Sequence, residues 1–275
     1  MSIGHPLFTA LVDDAALFPP GCADMPDALA AHPHHKAASY ADVVGRFLCP
    51  VSRLRELMDS LAEDRRIELS LIVDTGLSQL PDALALARTD QRIDVEAVEI
   101  TPGDGPDLTE SVERVLESAP PLLAFVELPR APGWTGGLDA IAAAGRSAKF
   151  RTGGASAAAF PGEAELAAFV IACVERDVPF KCSAGLHNAV RHRDAATCFE
   201  HHGFLNIALA THTAVLGEGS DAVEALLGET DSARLVSAYR QVTDHDARRA
   251  RALFVGFGSC SVLEPVHDLT DLGLL

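Results

Sequence analysis

The sequence has little positive charge and no paired-cysteine motif. Lys and Arg number 22 against 39 Asp and Glu, which gives a formal net charge of −17 at pH 7. A chain of this charge repels phosphate backbones and anionic headgroups, so neither nucleic acid nor a membrane is an expected partner. The six cysteines show no CxxC spacing and several lie in apolar runs. We therefore expect small buried thiols and no zinc site.

Export and membrane signals are also lacking in the pattern. The N-terminus shows no basic stretch followed by an apolar core, and no apolar run approaches the length of a membrane span. A reduced, cytoplasmic protein is therefore the expectation. The turn after the first regular strand, Cys49 to Ser52, lacks the GxGxxG fingerprint, which disfavours a dinucleotide-binding fold.

What the sequence does have is a regular alternation of apolar strands and helical runs from residue 43 onward. Eight predicted strands over about 220 residues favour an α/β fold of the (β/α)8 TIM-barrel type, and an open doubly wound sheet is the alternative. Two of the strands are the runs around Lys149 and Lys181, and the others are Val44–Pro50, Glu68–Thr75, Val95–Thr101, Leu122–Pro129, Phe204–Thr211 and Leu253–Ser259.

The same rhythm sets the predicted boundaries. Residues 1–42 do not follow it, because Pro19, Pro20 and Gly21 interrupt any long element there. We expect an N-terminal arm or lid over 1–42, the barrel over 43–262 and a C-terminal tail over 263–275. A helix over His192–His202 is predicted to connect the sixth and seventh strands.

Two adjacent strands each carry a lysine four residues before a glycine, Lys149 before Gly153 and Lys181 before Gly185. Side chains alternate between the two faces of a strand. If Phe150 packs outward under a helix, Lys149 and Arg151 face inward, and Lys181 does so by the same parity. Two neighbouring parallel strands then direct two ammonium groups into one space, which is costly unless the charges are paired or used.

Barrel enzymes place their chemistry at the carboxyl ends of the strands. On that rule the predicted catalytic residues are Lys149, Lys181, Glu99 and Glu127. The predicted substrate-binding residues are Arg151, Ser183, His187, Asn206, Gly258, Ser259 and Asp14. Gly258 and Ser259 are included as backbone donors for a phosphate, and Asp14 as a residue that a folded arm brings to the mouth. The competing interpretation is a set of Glu–Lys pairs that only fills the barrel.

The functional interpretation depends on the pKa of the lysines. Two partly desolvated lysines side by side disfavour each other's protonation. A lysine that is neutral near physiological pH can add to a carbonyl and form a Schiff base, while the second lysine stays protonated and stabilises developing negative charge. Glu99 or Glu127 can then move the proton.

The pair of motifs FRTGG and PFKCSAGLHNAVR, within residues 147–193, resembles the class I (Schiff-base) aldolases on TIM barrels, the deoxyribose-phosphate aldolase family most of all. The resemblance implies a first lysine that forms the Schiff base and a second that tunes it. Lys181 matches the second lysine. Arg151 stands directly before Thr152, where the family has its first lysine, and Lys149 is two residues earlier, so the nucleophile stays open between Lys149 and Lys181.

These observations predict a lyase that acts on a small carbonyl compound, anionic or phosphorylated, without a cofactor. One alternative is a Mg²⁺-dependent enolisation or isomerisation of a carboxylate substrate, with Asp74, Glu99 and Glu127 as metal ligands. The other is a non-enzymatic barrel that binds an anionic metabolite. The sequence leaves a homo-oligomer open.

Overall fold

Eight parallel strands close into a barrel, which confirms the TIM-barrel prediction. The computed structural model describes residues 5–103, 105 and 107–275. The barrel strands in the described ranges are β1 Val12–Asp14, β2 Val44–Pro50, β3 Ile67–Val73, β4 Ile93–Ile100, β5 Leu123–Glu127, β6 Ser147–Arg151, β7 Phe180–Ser183 and β10 Phe254–Ser259. Around the barrel they follow the order β1-β10-β7-β6-β5-β4-β3-β2.

Helices surround the barrel and alternate with its strands. Short 3-10 turns precede or replace several of them, at Pro6–Phe8, Ala41–Val43, Val51–Arg53, Leu77–Gln79 and Ala157–Ala159. The α-helices of the described residues are α1 Met25–Ala37, α2 Leu54–Ser60, α3 Leu80–Ala87, α4 Leu108–Ser118, α5 Trp134–Ala143, α6 Glu163–Glu175, α7 Phe204–Val215, α8 Ser220–Gly228, α9 Ser232–Tyr239, α10 Asp244–Leu253 and α11 Leu263–Asp271.

The main hydrophobic core lies between the strands and the helices, not inside the barrel. Phe150 of β6 stacks on Phe169 of α6 with ring centroids 4.3 Å apart, and Phe180 of β7 meets the same ring edge-on at 5.4 Å. Both phenylalanines therefore face outward, as predicted, and the lysines beside them face the barrel interior. The stretch 157–175, with mean hydropathy 1.6, is long and apolar enough to cross a membrane, but here it includes α6, whose apolar residues pack into this core.

The first barrel strand lies inside the segment predicted to be an arm or lid. Val12–Asp14 pairs in parallel with both β2 and β10 and closes the barrel, so the barrel begins well before residue 43. The strand was missed because it has only three residues, two of them aspartates, and Pro19-Pro20 follows closely. Residues 1–4 of that segment lie outside the described residues, and the predicted tail contains α11.

The predicted seventh strand, Phe204–Thr211, is wrong. This segment is α7, with every residue from Phe204 to Thr211 buried. A predominantly apolar run fits a buried helix as well as a buried strand, and its full length of 12 residues decides for the helix. The predicted helix over His192–His202 is also wrong, because His192–Arg193 (β8) and Glu200–His201 (β9) form a small antiparallel hairpin.

Asn206 consequently lies on α7 and not at a strand end. It is fully buried, and its side-chain oxygen accepts a hydrogen bond from the Arg191 N–H at 2.8 Å. Its amide group donates to the backbone carbonyls of Leu226 and Glu229, both at 2.7 Å. These contacts join the segment after β7 to the end of α8. Asn206 is therefore a structural residue, and the prediction that it lies at the end of a barrel strand is wrong.

Replacing Asn206 by Ala leaves one buried N–H and two carbonyls without this partner. We expect the free energy of unfolding to fall by about 2–4 kcal/mol, since each unsatisfied buried polar group costs about 1–3 kcal/mol. Urea unfolding followed by circular dichroism measures the change. The matched control is Gln241→Ala, which removes an exposed amide bonded only to Ser237 and should stay within about 0.5 kcal/mol. Equal effects of both variants would contradict the structural role.

Candidate active site in the barrel interior

The two predicted lysines are direct neighbours across the barrel wall. Lys149 of β6 pairs in register with Lys181 of β7, and Glu127 of β5 pairs with Lys149. Both lysines are buried, with 8% of the Lys149 side chain and 1% of the Lys181 side chain exposed. The prediction that they lie at the same depth on adjacent strands is confirmed.

Glu99 of β4 lies between the two ammonium groups. One carboxylate oxygen, Oε1, is 2.5 Å from Lys181 Nζ, and the other, Oε2, is 2.9 Å from Lys149 Nζ. The Ser70 hydroxyl of β3 donates to Oε1 at 3.2 Å. Lys149 Nζ also lies 3.1 Å from Glu127 Oε2. The sequence predicted all four of these charged residues, and the structure brings them together.

Asp13 of β1 completes this group of charges, and the sequence reasoning missed it. Its Oδ2 accepts from Lys181 Nζ at 2.6 Å, and its Oδ1 accepts from the Arg46 N–H at 2.8 Å. A Cβ atom on Gly45 would lie 2.2 Å from Asp13 Oδ1, so only glycine leaves room for the carboxylate in this position. A signal for Asp13 was present in the sequence, because two consecutive aspartates follow an apolar run. In a β-strand two consecutive side chains point to opposite faces, so one of the two must face the barrel interior.

We call Asp13, Glu99, Glu127, Lys149 and Lys181 the charge cluster. Burial raises the pKa of Glu99, but the two lysines outweigh burial and hold the pKa at about 2. Burial lowers the pKa of Lys181, yet Asp13 and Glu99 outweigh it, and the pKa is raised above its ordinary value. The expectation that mutual repulsion makes a lysine neutral is therefore wrong for Lys181, because carboxylates lie between and beside the two ammonium groups.

Few apolar side chains share the barrel interior with the charge cluster. Leu48, Ala97 and Phe125 are buried but stand apart from the main hydrophobic core. The Phe125 ring lies 5.3 Å from Lys181 Nζ, close enough for a cation–π contact. Interiors of TIM barrels are ordinarily filled by branched apolar residues. Here charged groups occupy that volume, and they lie towards the carboxyl ends of the strands.

The rim above Lys149 carries Arg151 and Ser183. Arg151 has 53% of its side chain exposed, and its Nε is 3.5 Å from Glu127 Oε1. Arg151 thus extends from the charge cluster to solvent instead of pointing fully inward. The buried Ser183 hydroxyl has no hydrogen-bond partner among the residues that the structure describes. Both residues occupy the mouth, as predicted.

His187, Gly258 and Ser259 also lie at the mouth, next to Ser183, because Gly258 of β10 pairs in register with Ser183 of β7. His187, in the loop after β7, lies 2.8 Å from Glu264 through Nδ1. The Ser259 hydroxyl donates to the Ser261 carbonyl at 2.7 Å and lies 3.4 Å from His187. Gly258 faces inward, since a Cβ there would lie 3.0 Å from Leu48 Cδ1. A phosphate contact by Gly258 and Ser259 stays a prediction.

Two other predicted residues belong to structural contacts. Asp14 faces away from the barrel interior, where its carboxylate accepts from the Ala16 N–H and pairs with His32 of α1 at 2.9 Å. Asp13 occupies the inward position that was predicted for Asp14. Asp74 is exposed after β3 and accepts from the Ser52 N–H at 3.0 Å and from its hydroxyl. In the described ranges no group of three or more His, Cys, Asp or Glu side chains is arranged to hold a metal ion.

Comparisons with known proteins add no family. No protein-family model matches the chain, and no curated protein matches it. The residues of the barrel interior therefore carry the functional argument.

Replacing Glu99 by Gln removes the carboxylate shared by two buried ammonium groups. We expect a loss of about 3–5 kcal/mol in the free energy of unfolding at pH 7, because a buried ion pair broken on one side leaves an uncompensated charge. The control is Glu68→Gln, which breaks a surface pair with Lys36 and should cost less than about 1 kcal/mol.

The same variant tests the pKa of Glu99. Its folded-state pKa of about 2 lies below the ordinary value of 4.5, so its stabilisation is present above about pH 5 and is lost as the pH falls towards 2. Between those limits the stability of the wild type should fall more steeply than that of Glu99→Gln in urea titrations. Parallel pH profiles would contradict the low pKa.

Proposed function

We propose that this chain is a lyase of the aldolase type, which forms a Schiff base between a barrel lysine and a small carbonyl substrate. The observation that carries the proposal is the placement of Lys149 and Lys181 on adjacent strands with the Glu99 carboxylate between them. The arrangement supplies a nucleophilic amine, a second cation for developing negative charge, and carboxylates that accept protons. The resemblance of the two lysine motifs to class I aldolases agrees with this chemistry.

The use of lysine in place of arginine inside the barrel supports a chemical role for these residues. The chain has only three lysines, Lys36, Lys149 and Lys181, against 19 arginines. Arginine is the usual residue for a buried ion pair, because it is always charged and bonds carboxylates through two nitrogens. Two of the three lysines nevertheless lie side by side in the barrel. Lysine differs from arginine in that it can lose its proton and act as a nucleophile.

Lys149 is the better candidate for the nucleophile. Its side chain is more exposed than that of Lys181, and it borders Glu127 and Arg151 at the rim. Lys181 is fully buried, and Asp13 and Glu99 raise its pKa, so it stays protonated. In the proposed reaction Lys181 is the fixed cation and Lys149 adds to the carbonyl carbon.

The two carboxylates beside Lys149, those of Glu99 and Glu127, have different roles in the proposed reaction. With a pKa of about 2, Glu99 stays ionised at neutral pH and acts as the counter-ion of both lysines. Glu127 has 12% of its side chain exposed and lies 3.1 Å from Lys149 Nζ, so it can take the Lys149 proton when a substrate enters. It can then return that proton to the carbinolamine oxygen, which leaves as water when the imine forms.

The rim favours an anionic substrate. Arg151 offers an exposed guanidinium beside the charge cluster, and Ser183 a buried hydroxyl near it. A local cation at the mouth can attract an anion to a chain whose net charge is −17. Substrate identity, the absence of a cofactor, cytoplasmic location and oligomeric state stay predictions.

The alternatives draw less support from the barrel interior. Each of the three proposed Mg²⁺ ligands already has a partner. Asp74 accepts from Ser52, and Glu99 pairs with both buried lysines. Glu127 pairs with Lys149 and Arg151. A barrel that binds an anion without chemistry explains Arg151, but it does not explain two lysines in place of arginines.

Borohydride trapping against a panel of small aldehydes and 2-oxo acids tests the proposal. We expect a reduced adduct on Lys149, identified by intact and peptide mass spectrometry, with no adduct on Lys181. With three lysines in the chain, each in a different sequence context, the assignment is direct.

The controls separate charge from nucleophilicity. Lys149→Arg keeps the cation for Glu99 and Glu127 but cannot form an imine, so it should stay folded and lose the adduct. Lys36→Arg, at an exposed position, should trap as the wild type does. A folded wild type that gives no adduct with any carbonyl, or an adduct on Lys36 alone, would overturn the proposal.

A further inference from the structure

A thiol, an imidazole and a carboxylate meet at the rim, apart from the charge cluster. They are Cys260 directly after β10, His187 in the loop after β7, and Glu264 in the first turn of α11. Cys260 Sγ lies 4.0 Å from both ring nitrogens of His187, and His187 Nδ1 lies 2.8 Å from Glu264 Oε2. This is the order of groups found around an activated nucleophile, in which a base is held by a third residue.

The contact with Glu264 determines which nitrogen can act as the base. An ionised carboxylate only accepts hydrogen bonds, so Nδ1 carries the proton and Nε2 keeps its lone pair. Because Sγ is equidistant from the two nitrogens, Nε2 is as close to the thiol as Nδ1 is, and the imidazole reorients when its Nε2 lone pair takes the thiol proton. The long 4.0 Å separation is the loose geometry that such pairs often show without substrate.

Helix α11 and the segment around Gly21 enclose the three residues. Asp268, one helical turn after Glu264 on α11, accepts a hydrogen bond from the Ala189 N–H at 2.7 Å. One face of α11 thus binds the loop after β7 at two points. On the other side Gly21 approaches Cys260 closely, since a Cβ on Gly21 would lie 3.2 Å from Cys260 Cβ. Cys260 is partly exposed between these segments.

The six cysteines differ sharply in their surroundings. Cys49, Cys173 and Cys182 are buried, and burial raises the pKa of each thiol, to about 12 for Cys49. These three are packing residues. The contacts of His187 with Cys260 and, to a smaller extent, with Glu264 raise the pKa of His187, which makes its imidazole a stronger proton acceptor.

We propose that Cys260, His187 and Glu264 form a second reactive site, in which the Cys260 thiol adds reversibly to a small aldehyde at the mouth of the barrel. His187 Nε2 takes the thiol proton while Sγ bonds to the carbonyl carbon. The electron pair of the C=O double bond moves to the oxygen, which receives the proton from His187. The product is a hemithioacetal, and no oxidant or reductant is consumed. The site does not depend on the lysine chemistry.

Competitive alkylation tests this site. The reduced wild-type protein is treated with limiting iodoacetamide at pH 7, and the modification of each cysteine is followed by peptide mass spectrometry. We expect Cys260 to react at least about tenfold faster than the exposed Cys198 in the same sample, because the thiolate is the reactive form. His187→Gln should bring Cys260 down to the rate of Cys198 or below, and Glu264→Gln should slow it a few-fold.

The direction of the change separates a base from a structural support. A variant that only loosens the loop exposes Cys260 and raises its rate, whereas loss of the base lowers it. His245→Gln, at an exposed position, is the matched control and should leave the ratio unchanged. A Cys260 rate equal to that of Cys198 in the wild type, or no decrease in His187→Gln, would overturn the proposal.

Propionaldehyde identifies the ligand class. It should protect Cys260 from iodoacetamide, in the wild type and in Lys149→Arg alike, and the protection should disappear after dialysis. Protection that is lost in Lys149→Arg would place the aldehyde on the lysine and overturn the thiol assignment, as would no protection at all. Borohydride trapping reports on Lys149 separately, so failure of either proposal can be recognised.

Discussion

The Glu99 carboxylate, shared by two buried ammonium groups, is the interaction on which the interior of this barrel depends. Each of its oxygens faces a different lysine. Without it, Lys149 and Lys181 would repel each other from neighbouring strands in a medium of low dielectric constant. With Asp13 and Glu127 added, three carboxylates face two ammonium groups, and Arg151 at the rim balances the remaining charge. The interior can therefore be both charged and closed.

Stability alone gives no reason for this arrangement. Taking five charges out of water costs several kcal/mol for each ion, and apolar replacements of buried ion pairs are often neutral or stabilising. The outer face of the strands already supplies a large hydrophobic core, including the Phe150, Phe169 and Phe180 cluster. A chain that can fold around that core has no need of charged residues inside. Their presence at the carboxyl ends of the strands, where barrel enzymes place their chemistry, supports the proposed reactive site.

The sequence predicted the barrel and most of the charge cluster because both depend on local periodicity. The parity of Phe150 and Phe180 placed Lys149 and Lys181 inward, and the four-residue spacing to glycine placed them at one depth. Asp13 and Asn206 show where this reasoning fails. β1 is three residues long and is defined by its partners β2 and β10, which lie far away in sequence. The Phe204 run has no period that separates strand from helix, so only tertiary packing assigns Asn206 to α7.

The expectation of a neutral lysine failed for Lys181 for a related reason. Sequence shows which charges lie on adjacent strands, but it does not show the carboxylate from β4 that comes between them or the one from β1 beside Lys181. Repulsion between the lysines was predicted, and attraction to Asp13 and Glu99 is the larger effect on Lys181. In the proposed reaction the nucleophilic lysine therefore needs a nearby carboxylate to receive its proton. Glu127 contacts both Lys149 and the exposed Arg151, so in the proposed reaction a carbonyl substrate that displaces Arg151 would leave Glu127 to accept the Lys149 proton.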